Sequence, residues 1–123
     1  MSTTTTPTNF DLERFTRATE ERDASTQLSM YLKDATVTVT DRINQPGSPR
    51  VLEGRDEIKG WIEEVTVRDL THAVQQAVKD DSGAAFTVAC RYPDGANVLC
   101  ATVLELERGS IARQTVVQVW DEQ

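Results

Sequence analysis

The sequence predicts an α+β fold in which helices cover one face of a mostly antiparallel sheet. Apolar residues recur at helical spacing in much of the first half of the chain. The last third, residues 84–120, instead shows the pattern of three consecutive strands joined by two tight turns. Because runs of helices followed by runs of strands are typical of α+β folds, we expect the order helix, helix, strand, connection, helix and then four strands.

The start of the chain is predicted to be a disordered tail. Residues 1–8 contain five Thr and one Pro and show no apolar period. Residues 9–123 are too few for two hydrophobic cores, so we expect them to form one domain. Asn9 is a suitable N-cap for a first helix. The residues that then follow at helical spacing are Leu12, Phe15, Ala18 and Arg22.

A second helix is expected to begin after Asp23, another capping residue, and to end at Lys33 and Asp34. Its predicted inward stripe consists of Leu28, Tyr31 and Leu32. Residues 35–40 are rich in β-branched side chains and predict a strand, whereas residues 41–52 contain two Pro and one Gly and predict a long connection.

The third helix is predicted within the segment GRDEIKGWIEEV, which begins at Gly54. Its apolar positions follow the spacing i, i+3, i+4, i+7 and are Ile58, Trp61, Ile62 and Val65. Residues 69–79 then predict a strand. The side chains expected on one face of that strand are Leu70, His72, Val74 and Val78.

The turn from Tyr92 to Ala96 sets the expected register of the next two strands. If the turn is centred on Gly95, Cys90 lies directly opposite Cys100. One face of this pair is then apolar along both strands, with Phe86, Val88, Cys90 and Tyr92 against Leu104, Thr102, Cys100 and Val98. A cross-strand disulfide is one possibility for the cysteines, but in a reducing cytoplasm we expect free thiols.

The last strand is predicted to follow a three-residue loop, residues 107–109. The residues expected to join the inner face are Ala112, Gln114, Val116, Gln118 and Trp120, and those expected outside are Ile111, Arg113, Thr115, Val117 and Val119. The outer face is also apolar in part, through Leu99, Ala101, Val103, Val117 and Val119. A sheet that is apolar on both faces needs a second cover, so we expect a homodimer through the outer face.

Composition excludes several classes of function. A net charge of −7, with no basic run, argues against a nucleic-acid partner. The sequence shows neither an apolar stretch of membrane-spanning length nor a signal peptide, so we expect a cytoplasmic protein without membrane contact. One His and two Cys give no metal-binding pattern, so we expect neither a metal nor another cofactor.

Several segments together resemble a known family. They are RDASTQLSMYLKDATVTV, LEGRDEIKGWI, LTHAV and ERGSIARQTVVQVWDE, and the likeness extends from Phe10 to Glu122. They resemble the SnoaL-like polyketide cyclases of the nuclear transport factor 2-like superfamily. The resemblance implies a cone-shaped fold, in which a strongly curved sheet wraps around three helices and encloses an apolar pocket. It also implies a homodimer made through the outer face of the sheet.

The resemblance gives an incomplete set of catalytic residues. In isomerases that the chain resembles, an aspartate base follows the motif ATV in the first strand, and counting from Ala35 places that position at Val39. Asp41 lies two residues further on and is a candidate at the pocket mouth. His72 is the stronger candidate, because cyclases and dehydratases of the superfamily carry acid/base residues on the strands of the cone.

These observations support two hypotheses of different classes. The first is a cofactor-free cyclase, isomerase or dehydratase that moves protons on an apolar, carbonyl-bearing substrate, with His72 and Asp41 as its catalytic candidates. The residues expected to bind the substrate are Tyr31, Trp61, Cys90, Tyr92, Gln114, Gln118 and Trp120. The second is a non-catalytic ligand-binding or dimerisation module, in which His72 is a hydrogen-bonded wall residue and Asp41 a turn residue.

Overall fold

The computed structural model describes residues 10–121, which form three helices and six strands. The elements are α1 (Leu12–Glu20), α2 (Ala24–Ser29), β1 (Tyr31–Thr40), β2 (Arg50–Glu53), α3 (Gly54–Thr66), β3 (Thr71–Lys79), β4 (Gly83–Arg91), β5 (Asn97–Glu107) and β6 (Ser110–Trp120). The α+β class and the order of elements are confirmed, and β2 is an additional short strand in the predicted connection. The predicted tail, residues 1–8, lies outside the described residues.

The six strands form one curved sheet in the order β2-β1-β6-β5-β4-β3. All neighbouring strands are antiparallel except β1 and β6, which are parallel. The register shifts in three of the strand pairs, β1 with β6, β3 with β4, and β5 with β6. Because an extra residue in one strand bends that strand and increases its twist, these irregularities help the sheet curve around the helices.

The first two helices are shorter than the sequence predicts. Asn9 lies outside the described residues, and Asp11 is the N-cap of α1, with its side chain accepting from the backbone N–H of Arg14 at 3.0 Å. Asp23 caps α2 as expected, but α2 ends at Ser29. Tyr31 therefore belongs to β1 and not to a helical stripe, because it pairs with Ile111 of β6.

The hairpin of β4 and β5 has a register two residues away from the predicted one. Cys90 lies opposite Val98, and Cys100 lies opposite Val88, so the two cysteines are diagonal neighbours. The turn closes through a hydrogen bond from the Tyr92 N–H to the Ala96 carbonyl at 2.9 Å, which centres it one residue earlier than expected. A shift of two residues keeps every side chain on its predicted face.

Two bulges change the faces of individual residues. The β5–β6 turn consists of Arg108 and Gly109, both with positive φ, instead of the predicted three-residue loop. Ala112 is then skipped in the pairing, so Ile111 points inward and is fully buried. A similar skip in β3 turns Val78 outward, where it is 67% exposed. The predicted faces of Ile111 and Val78 are therefore wrong.

The core lies between the helices and the inner face of the sheet. Phe15 of α1 packs edge-on against Tyr31 and Phe86, with ring centroids 5.9 and 6.0 Å apart. Ile58 and Ile62 of α3 are buried, as their helical spacing predicts. This packing holds α1 and α3 against the inner face of the sheet. Beyond these residues the helices and the sheet diverge and leave a cavity.

Candidate functional site

A cavity of about 100 Å³ lies between α1, α3 and the inner face of β3 to β6. Eight of the residues chosen from the sequence line it: Tyr31, Trp61, His72, Cys90, Tyr92, Gln114, Gln118 and Trp120. They meet because alternate residues of each strand point to the same side, and helix α3 adds Trp61 above them. Apolar surface makes up most of the lining, and several of its polar side chains contact one another.

His72 stands opposite Cys90 in neighbouring strands, β3 and β4. Its ring atom Nδ1 lies 3.2 Å from the Cys90 Sγ. The histidine is half-buried and the cysteine is buried. Since one ring nitrogen is occupied by this contact, Nε2 is the ring atom left for another partner.

The two cysteines form a second polar pair beside the histidine. The pKa of Cys90 is lowered to about 5, because the Cys100 thiol donates a hydrogen bond to its sulfur and His72 adds a smaller stabilisation that burial opposes. The same hydrogen bond, together with burial, raises the pKa of Cys100. Both shifts favour the thiolate form of Cys90 and the neutral thiol of Cys100.

Tyr31 and Gln114 bind one another at the inner end of the cavity. The Tyr31 hydroxyl donates to the Gln114 Oε1, and both side chains are buried. Burial also raises the pKa of Tyr31, so the phenol keeps its proton. The hydroxyl proton is thus used in the hydrogen bond to Gln114, and the two side chains form a polar part of the cavity wall.

Trp120 carries a polar atom that is buried without a partner. Among the described residues, its indole Nε1 has no hydrogen-bond acceptor. The ring is held in place by stacking on Tyr92, with centroids 5.7 Å apart, and by the Arg42 guanidinium 4.3 Å from the ring centroid. Buried N–H groups are nearly always hydrogen-bonded, so a fixed donor of this kind is suited to an acceptor supplied by a ligand.

Asp41 does not line the cavity. It follows β1 in a turn, where its Oδ1 accepts from the backbone N–H groups of Ile43 and Asn44 at 2.9 and 2.7 Å. Burial opposes ionisation of Asp41, but these hydrogen bonds prevail and lower its pKa. Asp41 borders an adjoining groove, which shares Trp61 and Trp120, among other residues, with the cavity. Val39, the position of the family aspartate, is buried.

The sequence profile of the SnoaL-like domain matches residues 12–114. The chain belongs to the SnoaL-like domain family. A comparison with curated protein sequences finds no significant match. The family assignment therefore comes from the domain profile, which spans most of the chain.

Solved structures with a nuclear transport factor 2-like fold resemble this SnoaL-like protein along most of its length. A proposed ketosteroid isomerase from Kribbella flavida is 18% identical with a TM-score of 0.74, and the match covers 91% of this chain and 76% of that one. The epoxide hydrolase/cyclase-like enzyme SalBIII, which acts in pyran ring formation in the polyether salinomycin, is 19% identical with a TM-score of 0.68, covering 89% and 87%.

A third structural relative is a protein of unknown function from Mesorhizobium loti. It is 11% identical with a TM-score of 0.75, and the match covers 88% of this chain and 87% of that one. At these identities the similarity establishes the fold of the SnoaL-like protein. Its activity must be argued from the cavity.

Two properties of the described residues bear on other classes of site. Within residues 10–121, no three His, Cys, Asp or Glu side chains are grouped so that they could hold a metal ion. Over the same range, every helix is too short or too polar to cross a membrane.

Some lining residues were not selected from the sequence. Arg68 lies between α3 and β3, borders the cavity and forms an ion pair with Glu64 at 3.6 Å. Thr102 is buried in the cavity wall on the face predicted for it. The alternation of residues along the strand puts Thr102 on the inner face but does not mark it as a site residue. It gives no information about a loop residue such as Arg68.

Proposed function

We propose that this SnoaL-like protein binds a small, apolar, carbonyl-bearing molecule in its cavity and catalyses cofactor-free proton transfer on it, with His72 as the acid/base group. The observation that carries this proposal is the position of His72 in the cavity wall. Of residues 10–121, none with a carboxylate lines the cavity. Histidine is the ordinary side chain that exchanges protons near neutral pH.

The contact with Cys90 orients the histidine for this role. If the Nδ1–H of a neutral ring donates to the Cys90 sulfur, the lone pair of Nε2 is free to accept a proton from a carbon next to a carbonyl. The same nitrogen can return the proton at another carbon. Isomerisation, aldol cyclisation and dehydration all need this sequence of steps.

The unpartnered Trp120 Nε1 is the proposed donor to the substrate carbonyl. Charge develops on that oxygen when the neighbouring carbon loses its proton, and a fixed donor stabilises it without reorganisation. Tyr31 and Gln114 are not available for this task, because they bind one another. We assign them, with Trp61, Tyr92 and Gln118, to the shape of the cavity.

The small volume limits the ligand. An apolar cavity of about 150 Å³ is known to hold benzene, and this space of about 100 Å³ is smaller, so we expect a ligand no larger than one small ring or a short branched chain. The names of the Kribbella flavida and SalBIII structures, an isomerase and a cyclase-like enzyme, agree with this reaction class.

A second candidate function is ligand binding without catalysis. It is favoured by Val39, which is a buried apolar residue where related isomerases carry their base, and by Asp41, whose carboxylate is bound within its own turn. This candidate keeps the cavity and the Trp120 donor but assigns no proton transfer to His72.

An NMR titration of the His72 ring distinguishes the two functions. The chain has one histidine, so its ring resonances are unambiguous. We expect ketone ligands to shift these resonances, and we expect the protein to exchange the α-hydrogens of a bound ketone with solvent deuterium. Ligand-induced shifts without any exchange would favour the non-catalytic function.

We also propose that the protein is a homodimer through the outer face of the sheet. Four apolar side chains on that face of β5 and β6 are exposed by 43% to 65%: Leu99, Val103, Val117 and Val119. Isolated exposed apolar residues are common, but a contiguous group on two neighbouring strands is typical of an interface.

A further inference from the structure

We propose that Cys90 is a nucleophile of this cavity and forms a covalent adduct with small α,β-unsaturated ketones. The proposed proton transfer does not use the sulfur of Cys90 as a reacting atom. The inference shares one requirement with the proposed function, namely that a small carbonyl compound enters the cavity. It otherwise depends on a different group and a different reaction.

The first support is the arrangement of three side chains from three adjacent strands. The Cys90 Sγ of β4 lies 3.2 Å from the His72 Nδ1 of β3, and Cys100 of β5 is its diagonal neighbour across the strand pair. A thiolate is the reactive form of cysteine, and it is stabilised by neighbouring hydrogen-bond donors. The titratable side chains that share the cavity lining with Cys90 are Tyr31, Arg68, His72, Tyr92 and Cys100. None of them is a carboxylate that would repel a thiolate.

The second support is Trp120, a residue that lines the same cavity and whose Nε1 is buried without a partner among the described residues. It offers a donor for the oxygen of a carbonyl compound and therefore points to a ligand independently of the cysteine. A ketone held there places its adjoining carbons among the side chains of the inner face, which include Cys90.

The register of β4 and β5 disfavours a disulfide between the two cysteines. Cys90 faces Val98, and Cys100 faces Val88, so the two are diagonal across the strand pair. Diagonal residues have Cα atoms about 7–8 Å apart, whereas a disulfide needs about 4.4–6.8 Å. The pair is thus arranged to share a proton and not to form a disulfide.

The reaction is a conjugate addition that needs no further reactant. The Cys90 sulfur forms a bond to the β-carbon of the enone while the carbon–carbon π bond breaks, and its electron pair moves to the carbonyl oxygen. The Trp120 N–H stabilises the resulting enolate. The α-carbon then takes one proton from solvent water. Nothing is oxidised or reduced.

The test uses the full chain and cyclohexenone, a single small ring that carries the enone group. We expect one adduct per chain by intact mass, located on Cys90 and not on Cys100 by peptide mapping. An ordinary thiol has a pKa of about 8.5, and below that value its rate rises about tenfold for each unit of increasing pH. For Cys90 we expect a rate that changes by less than about twofold from pH 6 to 8, since its pKa is about 5.

Variants locate the cause of the reactivity. Cys90→Ser should give no adduct, and Cys100→Ala, which removes the donor to Cys90, should still react at residue 90 but with the steep pH profile of an ordinary thiol. Labelling of Cys100 first, or a steep profile in the unchanged protein, would overturn the proposal. Because these two decisive results come from the unchanged chain, they do not depend on the folding of a variant.

Cyclohexanone, which lacks the reactive double bond, separates this inference from the proposed function. Its binding is followed by the fluorescence of Trp61 and Trp120, both of which line the cavity. If cyclohexanone binds but cyclohexenone gives no adduct, the nucleophile is disproved and the binding function stands. If the adduct forms with a flat pH profile and His72→Gln leaves ketone exchange intact, the proton-transfer function fails and the nucleophile stands.

Discussion

The hydroxyl of Tyr31, at the start of β1, donates to the side-chain carbonyl of Gln114 in β6, and both residues are buried. The pair joins two parallel strands from opposite ends of the chain. Tyr31→Phe removes the donor and leaves the Gln114 oxygen buried without it, which should cost about 1–3 kcal/mol of unfolding free energy. Chemical denaturation measures this loss. Tyr31→Phe combined with Gln114→Met should recover part of it, and additive losses would contradict the coupling.

His72→Gln should remove catalysis and leave binding intact. A positioned acid/base group contributes about 10²- to 10⁴-fold, so we expect the exchange of ketone α-hydrogens to fall by at least about 100-fold. Exchange is followed by proton NMR in deuterated water, and affinity by tryptophan fluorescence. Asp41→Asn serves as a control that should retain exchange, because Asp41 lies outside the cavity. Loss of exchange in that variant alone would assign the proton transfer to Asp41.

Trp120→Phe should lower the affinity for ketones and have a smaller effect on the free energy of unfolding. The indole N–H has no partner among the described residues, so its removal breaks no internal hydrogen bond. A neutral hydrogen bond contributes about 0.5–1.5 kcal/mol, which corresponds to a roughly 2- to 12-fold loss of affinity. Trp61→Phe is the matched control in the same cavity. Equal losses in the two variants would show that ring volume, and not the N–H, determines binding.

If the protein is a homodimer through the outer face of the sheet, a charge introduced on that face should dissociate the dimer. Val117→Lys places an ammonium group in the middle of the exposed apolar group on β5 and β6, where it would be desolvated in a dimer. Light scattering across a dilution series should report a dimer for the unchanged chain and a monomer for this variant. Val67→Lys, at an 80% exposed position after α3, should remain dimeric. A monomeric unchanged chain would refute the interface.

Cys90 should make stability depend on pH. Its pKa falls from 9.0 in the unfolded chain to about 5 in the folded one. Between these values the unfolded state binds one more proton, so the free energy of unfolding should rise with pH by up to about 1.4 kcal/mol per unit. The contribution is complete above pH 9 and is lost as the pH falls through about 5.

Denaturation at about pH 6 and 8 measures this slope, because both conditions lie between the folded and unfolded pKa values of Cys90. The relevant quantity is the difference between the unchanged chain and Cys90→Ser, because this difference isolates the contribution of Cys90. We expect the serine variant to lose most of the slope. Parallel curves would mean that Cys90 is protonated in the folded state. Because the pKa of Cys100 is raised, stability should decline again above about pH 9.

Alternation along the strands determined how much of the site could be predicted. Cys90 and Gln118 fall on the inner face for any register that differs by an even number of residues, so the error of two in the β4–β5 hairpin left the cavity lining unchanged. The same error hid the diagonal relation of the two cysteines, on which the assignment of the thiolate depends. The geometry of the turn between β4 and β5 determines this diagonal relation, and several turns were compatible with the sequence.

Other features depended on contacts that no local pattern contains. Tyr31 fits the stripe of a helix by its spacing, but pairing with β6 draws it into a strand. The bulges that turn Ile111 inward and Val78 outward arise where the sheet curves over the helices. The lack of a partner for Trp120 Nε1 is likewise a property of the assembled cavity.

Strand β6 lies between β1 and β5, although it is the last strand in the chain. Before it is made, β2 and β1 on one side and β5, β4 and β3 on the other have no strand between them. During synthesis on the ribosome, these two half-sheets must wait for the final strand, and contacts between distant segments are slow to form. That strand also carries Gln114, Gln118 and Trp120, so the cavity of a nascent chain is incomplete until β6 has been translated.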